Sequence, residues 1–182
     1  MEREQVFDSV AIGCDHGGLT IKEAITAYLR EAGIPFTDCG TFTPDSVDYP
    51  IYAAKVCRLV LDQPGTAGIL CCGTGIGMSI AANKCRGIRA SVLSDAFSAE
   101  MTRRHNNANV LCLGGRVIGP EKAVELTDLF LHTPFEGGRH QRRLDELEQM
   151  EDLLADSPGS CGGQPGKTAG KGAGKRPKKA KK

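Results

Sequence analysis

The sequence contains no tryptophan, and aromatic residues make up only 5% of its 182 positions. No apolar run approaches the roughly 18 residues that cross a bilayer as a helix, which excludes a helical membrane span. The segment Met1-Glu2-Arg3-Glu4-Gln5 carries charges of both signs and lacks the apolar stretch of a secretory leader. A cytoplasmic protein is therefore expected. Eight cysteines are present, yet no two are spaced Cys-x-x-Cys, so zinc-ribbon and thioredoxin-like readings have little support. Cys14, Cys71, Cys72 and Cys112 lie within or at the ends of apolar strand-like runs, where a free thiol acts as a small hydrophobe. Reduced thiols are expected rather than a disulfide framework. Two phosphate-binding signatures are also missing. The P-loop pattern does not occur, and the dinucleotide pattern G-x-G-x-x-G fails because Met78 stands where its third glycine would be.

Charge is unevenly distributed. Residues 1–156 hold 15 Lys and Arg against 22 Asp and Glu, a net of −7, whereas residues 157–182 hold 7 Lys, 1 Arg and no acid, a net of +8. We expect one domain over 1–156. The Lys-rich segment 157–182 has almost no apolar residue beyond alanine and is expected to be a disordered basic tail. Such a tail solubilises the chain or contacts polyanions weakly. No aromatic residue interleaves its lysines, which argues against base stacking.

Within the body, strand and helix patterns alternate. Val6 to Ile12, residues 34–37, 67–71, Ile88 to Leu93 and Asn109 to Leu113 read as strands. Helical spacing links Ile21, Ala24, Ile25, Tyr28 and Leu29, with Gly33 just past the end. Asp48 and Pro50 open a second helix that continues through Ala53, Val56, Cys57 and Val60. Further helices are expected from about 76, from a Ser94 cap to Arg104, from Pro120, and over about 138–154 with Leu144, Leu147, Met150 and Leu154 on one side. Five strands alternating with helices predict an α/β chain, a five-stranded parallel sheet covered on both faces. Ligands of such sheets bind beyond the carboxyl ends of the strands. Asp15 and His16, Cys72 to Gly77, Ser94 and Asp95, and Gly114 to Arg116 all follow predicted strands.

The stretch Cys72-Gly73-Thr74-Gly75-Ile76-Gly77 stands out. Three glycines at alternate positions let backbone N–H groups approach an oxyanion, and the helix that follows adds partial positive charge. The thiol of Cys72 sits at the bend, where a helix start favours thiolate. Period-two alternation points Cys71 to the other face of its strand, into the core. Of the four histidines, His16, His105 and His140 lie in polar, motif-like settings, and His132 reads as structural. Arg139 and Arg143, four apart on one helix, share a face and suit a phosphate, or else form a solvated face paired with Glu136 or Asp145.

The segments Gly13-Cys14-Asp15-His16-Gly17-Gly18, Asp48-Tyr49-Pro50, Cys72 to Gly77, Ile80-Ala81-Ala82-Asn83-Lys84, His105-Asn106-Asn107-Ala108-Asn109-Val110 and Glu136-Gly137-Gly138-Arg139-His140 occur in this order. Together they resemble the type B ribose-5-phosphate isomerases of the RpiB/LacA/LacB sugar-phosphate isomerase family, over about residues 6–153. The resemblance implies a three-layer α/β/α, Rossmann-like fold. It implies homodimers or dimers of dimers with shared active sites. It also implies metal-free interconversion of ribose 5-phosphate and ribulose 5-phosphate, a step of the non-oxidative pentose phosphate pathway, with no cofactor. On this resemblance Cys72 moves the proton between C1 and C2 and Thr74 shuttles protons at the sugar oxygens. Amides of Gly73, Gly75 and Gly77 stabilise the enediolate, and His105 opens the ring with Asp15 or Asp48. Tyr49 and Asn106 line the sugar pocket, and His16, Arg139 and Arg143 hold phosphate with Arg116 as a further candidate. His105, Asn106 and Arg116 are expected from the neighbouring subunit. Some relatives carry a glutamate at the position of Met78, and since methionine accepts no proton, the base here must be Cys72. Competing readings are a galactose-6-phosphate or allose-6-phosphate isomerase, a non-catalytic sugar-phosphate sensor, and a thiol redox protein.

Overall fold

A computed structural model describes residues 5–155. The predicted basic tail lies outside the described residues. Five parallel strands, β1 (Ser9–Cys14), β2 (Phe36–Asp38), β3 (Thr66–Cys72), β4 (Ala90–Val92) and β5 (Val110–Gly114), form one sheet in the order β2-β1-β3-β5-β4. Helices α1 (Leu19–Glu31), α4 (Ala96–Asn106) and α5 (Pro120–His132) cover one face, and α2 (Tyr49–Asp62) and α3 (Ile76–Ala82) cover the other. The three-layer α/β/α expectation is met.

The strands read as continuous apolar runs because both faces are buried. All seven residues of β3 are buried, and alternation divides them between two cores. Ile69 and Cys71 join the cluster under α1 and α5, while Leu70 and Cys72 join the one under α2. Cys71 is therefore core, as its parity implied. Gly33 has φ +68° just past α1, the left-handed conformation expected of a glycine there.

Some boundaries differ from the sequence reading. The first strand starts at Ser9 rather than Val6, because the amides of Val6 and Asp8 bond the carbonyls of Leu131 and Gly65 outside the ladder. Asp95, not Ser94, caps α4: its carboxylate accepts the Ser98 amide at 2.8 Å. The fourth strand keeps three residues, as suits an edge strand. Helix α6 (Arg139–Ala155) buries Leu144, but Leu147 and Met150 of the expected apolar stripe stay exposed. Leu154 of that stripe falls outside the described side chains.

Lys22 is 2% exposed, and its Nζ donates to Asp38 at 2.7 Å and to the Thr41 carbonyl at 3.1 Å. This buried cation ties α1 to the loop that leads from β2 to Asp48 and Tyr49. Its long stem fitted the helical face and gave no sign in the sequence that its charge would be buried.

Candidate active site

The strand order reverses direction between β1 and β3, which opens a crevice beyond their carboxyl ends. Two loops meet there. Asp15 caps the short 3₁₀ turn His16–Gly18, its Oδ1 accepting the Gly17 amide at 2.8 Å. A methyl group on Gly18 would come 2.4 Å from the backbone carbon of Cys71, so only glycine lets this turn lie against the end of β3. The His16 ring accepts the Val47 amide at Nδ1, 3.3 Å away, which holds the loop before Asp48.

Across the crevice, Gly75 takes φ +78°, a left-handed conformation that reverses the chain from β3 into α3. The reversal turns the Gly75 amide back onto Cys72, and it donates to the sulfur at 3.1 Å. The sulfur is the acceptor in this contact. Cys14 shows the contrast, since its thiol donates to the Thr41 carbonyl at 3.6 Å. Cys14 is also pushed up to about 12 by desolvation, and burial raises Cys71 and Cys112 as well. Cys72 is 5% exposed, where Cys71 and Cys112 have no exposed surface. All seven described cysteines are free. Thr74 is exposed beside the sulfur's loop, and its Oγ1 accepts the Ile76 amide at 3.4 Å. A methyl group on Gly77 would meet the Tyr49 ring at 3.0 Å, and one on Gly73 would meet the Arg116 side chain at 3.4 Å. Tyr49 and Arg116 thus both lie against the glycine loop. Asp48 is exposed at the start of α2, with no hydrogen bond capping that helix. Met78 has no exposed surface and packs in the core.

The remaining candidates lie elsewhere. Strands β4 and β5 are parallel neighbours, so α4 must carry the chain back to the amino edge of the sheet. The Asn109 amide accordingly bonds the Arg89 carbonyl just before β4. His105 and Asn106 end α4 at that amino edge, whereas Cys72 ends β3 at the carboxyl edge. Seven residues of strand separate the two edges, roughly 20 Å at 3.3 Å per residue. The loop after α5 returns to the same amino edge, where the Glu136 amide bonds the Arg104 carbonyl at 3.1 Å, and α6 then begins with Arg139. The His105 and His140 rings stack with centroids 4.2 Å apart, and Arg139 Nε donates to His140 Nε2 at 3.3 Å. Arg143 follows one turn later, also exposed.

A protein-family model described as ribose/galactose isomerase matches residues 10–147. The chain belongs to this family.

Among its relatives, ribose-5-phosphate isomerase B of Escherichia coli strain K12 is 46% identical over 142 residues, covering 78% of this chain and 95% of that protein. A solved ribose-5-phosphate isomerase B of Clostridium thermocellum superposes with a TM-score of 0.78 at 42% identity, covering 80% of this chain and 99% of that one. The enzyme of Mycoplasma genitalium, solved with bound ribulose 5-phosphate, gives a TM-score of 0.75 at 38% identity over 79% of this chain and 96% of its own.

The isomerase-family motifs thus fall into two groups in one chain. Asp15, His16, Asp48, Tyr49, Cys72 to Gly77 and Arg116 belong to the carboxyl edge; His105, Asn106, Arg139 and Arg143 belong to the amino edge. One expectation is corrected. Arg116, assigned to a neighbouring copy, lies against the glycine loop of its own chain. Within one chain, His16 and the pair Arg139 and Arg143 lie at opposite edges of the sheet. The motif around His105 also has a structural share. Asn107 is the left-handed cap of α4 (φ 44°), and the Asn109 side chain bonds Arg89 and Gly87. Arg103, 2% exposed, pins the end of α4 against Phe7 and Phe130, and desolvation lowers it to about 10. Glu136 pairs with Arg104 at 3.2 Å rather than with Arg139 or Arg143. His132 is structural, its Nδ1 lying 2.8 Å from the Asp128 carbonyl. No helix among the described residues is long and apolar enough to cross a membrane.

Proposed function

We propose that this protein is a cytoplasmic aldose–ketose isomerase that interconverts D-ribose 5-phosphate and D-ribulose 5-phosphate. The observation that carries this reading is the 3.1 Å bond from the Gly75 amide to Cys72 Sγ, at the crevice between β1 and β3. Isomerisation moves a proton between C1 and C2 of the open sugar through an enediolate. Cys72 thiolate removes the proton from one carbon and returns it to the other. The N–H groups of Gly73 and Gly77, beside the Gly75 amide that holds the sulfur, bind the oxygen on which charge develops, which is where stabilisation lowers the barrier most. Thr74, beside them, relays protons between the two oxygens. Tyr49 and Asp48 border the sugar, and His16 and Arg116 approach the same crevice.

The ring-opening and phosphate groups come from a second copy of the chain. His105 exchanges the proton of the ring oxygen, Asn106 contacts the sugar, and Arg139 and Arg143 clamp the phosphate. Their place at the amino edge, roughly 20 Å from Cys72, supports a homodimer or a dimer of dimers with two shared sites. The exposed apolar side chains of Ile76, Ile80, Val92 and Phe97 support the same assembly, since large apolar groups left in water are what a subunit interface covers.

The direct test is turnover of ribose 5-phosphate beside galactose 6-phosphate and allose 6-phosphate, without added metal and then with chelator. A higher kcat/KM for ribose 5-phosphate is expected, and no turnover of it would end this reading. Arg139→Ala should raise KM about 10- to 100-fold, the cost of losing a charged hydrogen bond. An unchanged KM would remove Arg139 from the phosphate site. Residues 1–156 are the catalytic domain in this reading, and 157–182 a basic tail open to weak polyanion contact. Truncation after residue 156 should leave kcat within about twofold of the full chain, as a steady-state assay would show.

A further inference from the structure

We infer that His105, Glu136 and His140 form a binding site for a divalent transition-metal ion, Zn²⁺ by its chemistry, and that an ion held there withdraws His105 from the sugar. The consequence for the sugar rests on the isomerase reading above; the metal site does not.

Three separate segments supply the donors: the last turn of α4, the loop after α5 and the first turn of α6. Glu136 Oε2 lies 3.9 Å from His105 Nε2 and 3.7 Å from His140 Nε2. One donor atom from each of the three residues falls within 4.8 Å of the others. Both carboxylate contacts are too long for hydrogen bonds. The oxygen and the two nitrogens therefore face one another across a gap. Tetrahedral zinc, with bonds of about 2.0–2.2 Å, sets its donors about 3.3 Å apart. Closing this cluster onto an ion takes a contraction of about 0.5 Å in the two carboxylate pairs and of at most about 1.5 Å between the two histidines.

Each donor is held ready in its own way. Glu136 is fixed by its backbone bond to Arg104 and by the 3.2 Å pairing of its Oε1 with the Arg104 guanidinium, which leaves Oε2 turned to the rings. His140 is 5% exposed, and Nε2 accepts from Arg139, so that nitrogen presents a lone pair. Arg139 must swing aside to free that lone pair. The His105 ring, 37% exposed, must rotate out of the parallel stack, because both rings ligate in their own planes. Two imidazoles and one carboxylate suit a borderline ion such as Zn²⁺ or Co²⁺ better than Mg²⁺ or Ca²⁺, and they leave a fourth position for water. An imidazole nitrogen bonded to metal cannot exchange a proton with a ring oxygen. Occupancy therefore inhibits the enzyme without any covalent or redox step.

The test uses the full chain and Co²⁺ as a coloured probe, followed by competition with Zn²⁺. Expected are visible absorption bands of cobalt on nitrogen and oxygen donors, with no thiolate-to-cobalt charge-transfer band, and their loss as zinc displaces the cobalt. Glu136→Gln and His105→Gln, both at exposed or half-exposed positions, should each weaken binding about 10-fold or more. Zinc should inhibit the wild type reversibly, chelator should restore turnover, and Glu136→Gln should need about 10-fold more zinc for the same inhibition. Absence of cobalt bands, a charge-transfer band that reveals cysteine ligation, or undiminished binding in both variants would overturn the site. If cobalt binds as expected and zinc leaves turnover unchanged, the inhibitory role is overturned. If cobalt binds but no sugar phosphate turns over, the site stands and the isomerase reading fails.

Discussion

Replacing Cys72 with alanine is expected to lower kcat about 10²–10⁴-fold, the usual contribution of a positioned general base, with the affinity for ribulose 5-phosphate nearly unchanged. The phosphate clamp and the glycine amides do not depend on the sulfur, so the variant keeps its binding and loses its proton carrier. The substitution removes one buried sulfur and leaves the Gly75 amide without that partner, so a loss of about 1–3 kcal/mol of stability should accompany the loss of turnover. Cys72→Ser separates base from bond. A hydroxyl still accepts the Gly75 N–H but stays protonated near neutral pH, so this variant should be as inactive as alanine. Steady-state kinetics beside calorimetric binding measure both quantities. Turnover near wild type in either variant would mean that the base lies elsewhere.

Mixing two inactive variants is expected to restore activity. His105→Ala should be nearly inactive alone, as should Cys72→Ala. In a hybrid dimer, one site pairs the intact Cys72 of one chain with the intact His105 of the other, and the second site has neither. Random reassociation makes half of the dimers hybrid, each with half of its sites intact, so about a quarter of wild-type turnover should return. Co-refolding or co-expression gives the mixture, and activity per active hybrid can be followed by titrating the ratio. If each chain carried its own complete site, no mixture would exceed its components. The prediction follows from the direction of α4: a helix that leads from one parallel strand to the next must end at the edge opposite the carboxyl ends.

Much of the fold was legible because it is local. Apolar runs marked strands buried on both faces, and Pro50 and Pro120 marked the first turns of α2 and α5. The left-handed glycine after α1 was readable from its place beyond the last apolar position. Errors fell at ends, where neighbours in space decide. Ser94 and Asp95 are both good caps, and only the chain's turn into α4 selects between them. Lys22 and Arg103 sit on faces that look amphipathic, and nothing along the chain says that their charges are buried against Asp38 or between Phe7 and Phe130.

The sequence by itself determined the elements, their order, and the thiol at a glycine turn leading into a helix, because periodicity and turn chemistry act between residues a few positions apart. Only the tertiary structure decided which motifs share an edge. Strand order and helix direction place Cys72 and His105 at opposite ends of one sheet, and bring His105 beside Glu136 and His140, some thirty residues further along the chain. Those relations depend on long-range packing, which the short-range pattern of residues does not encode.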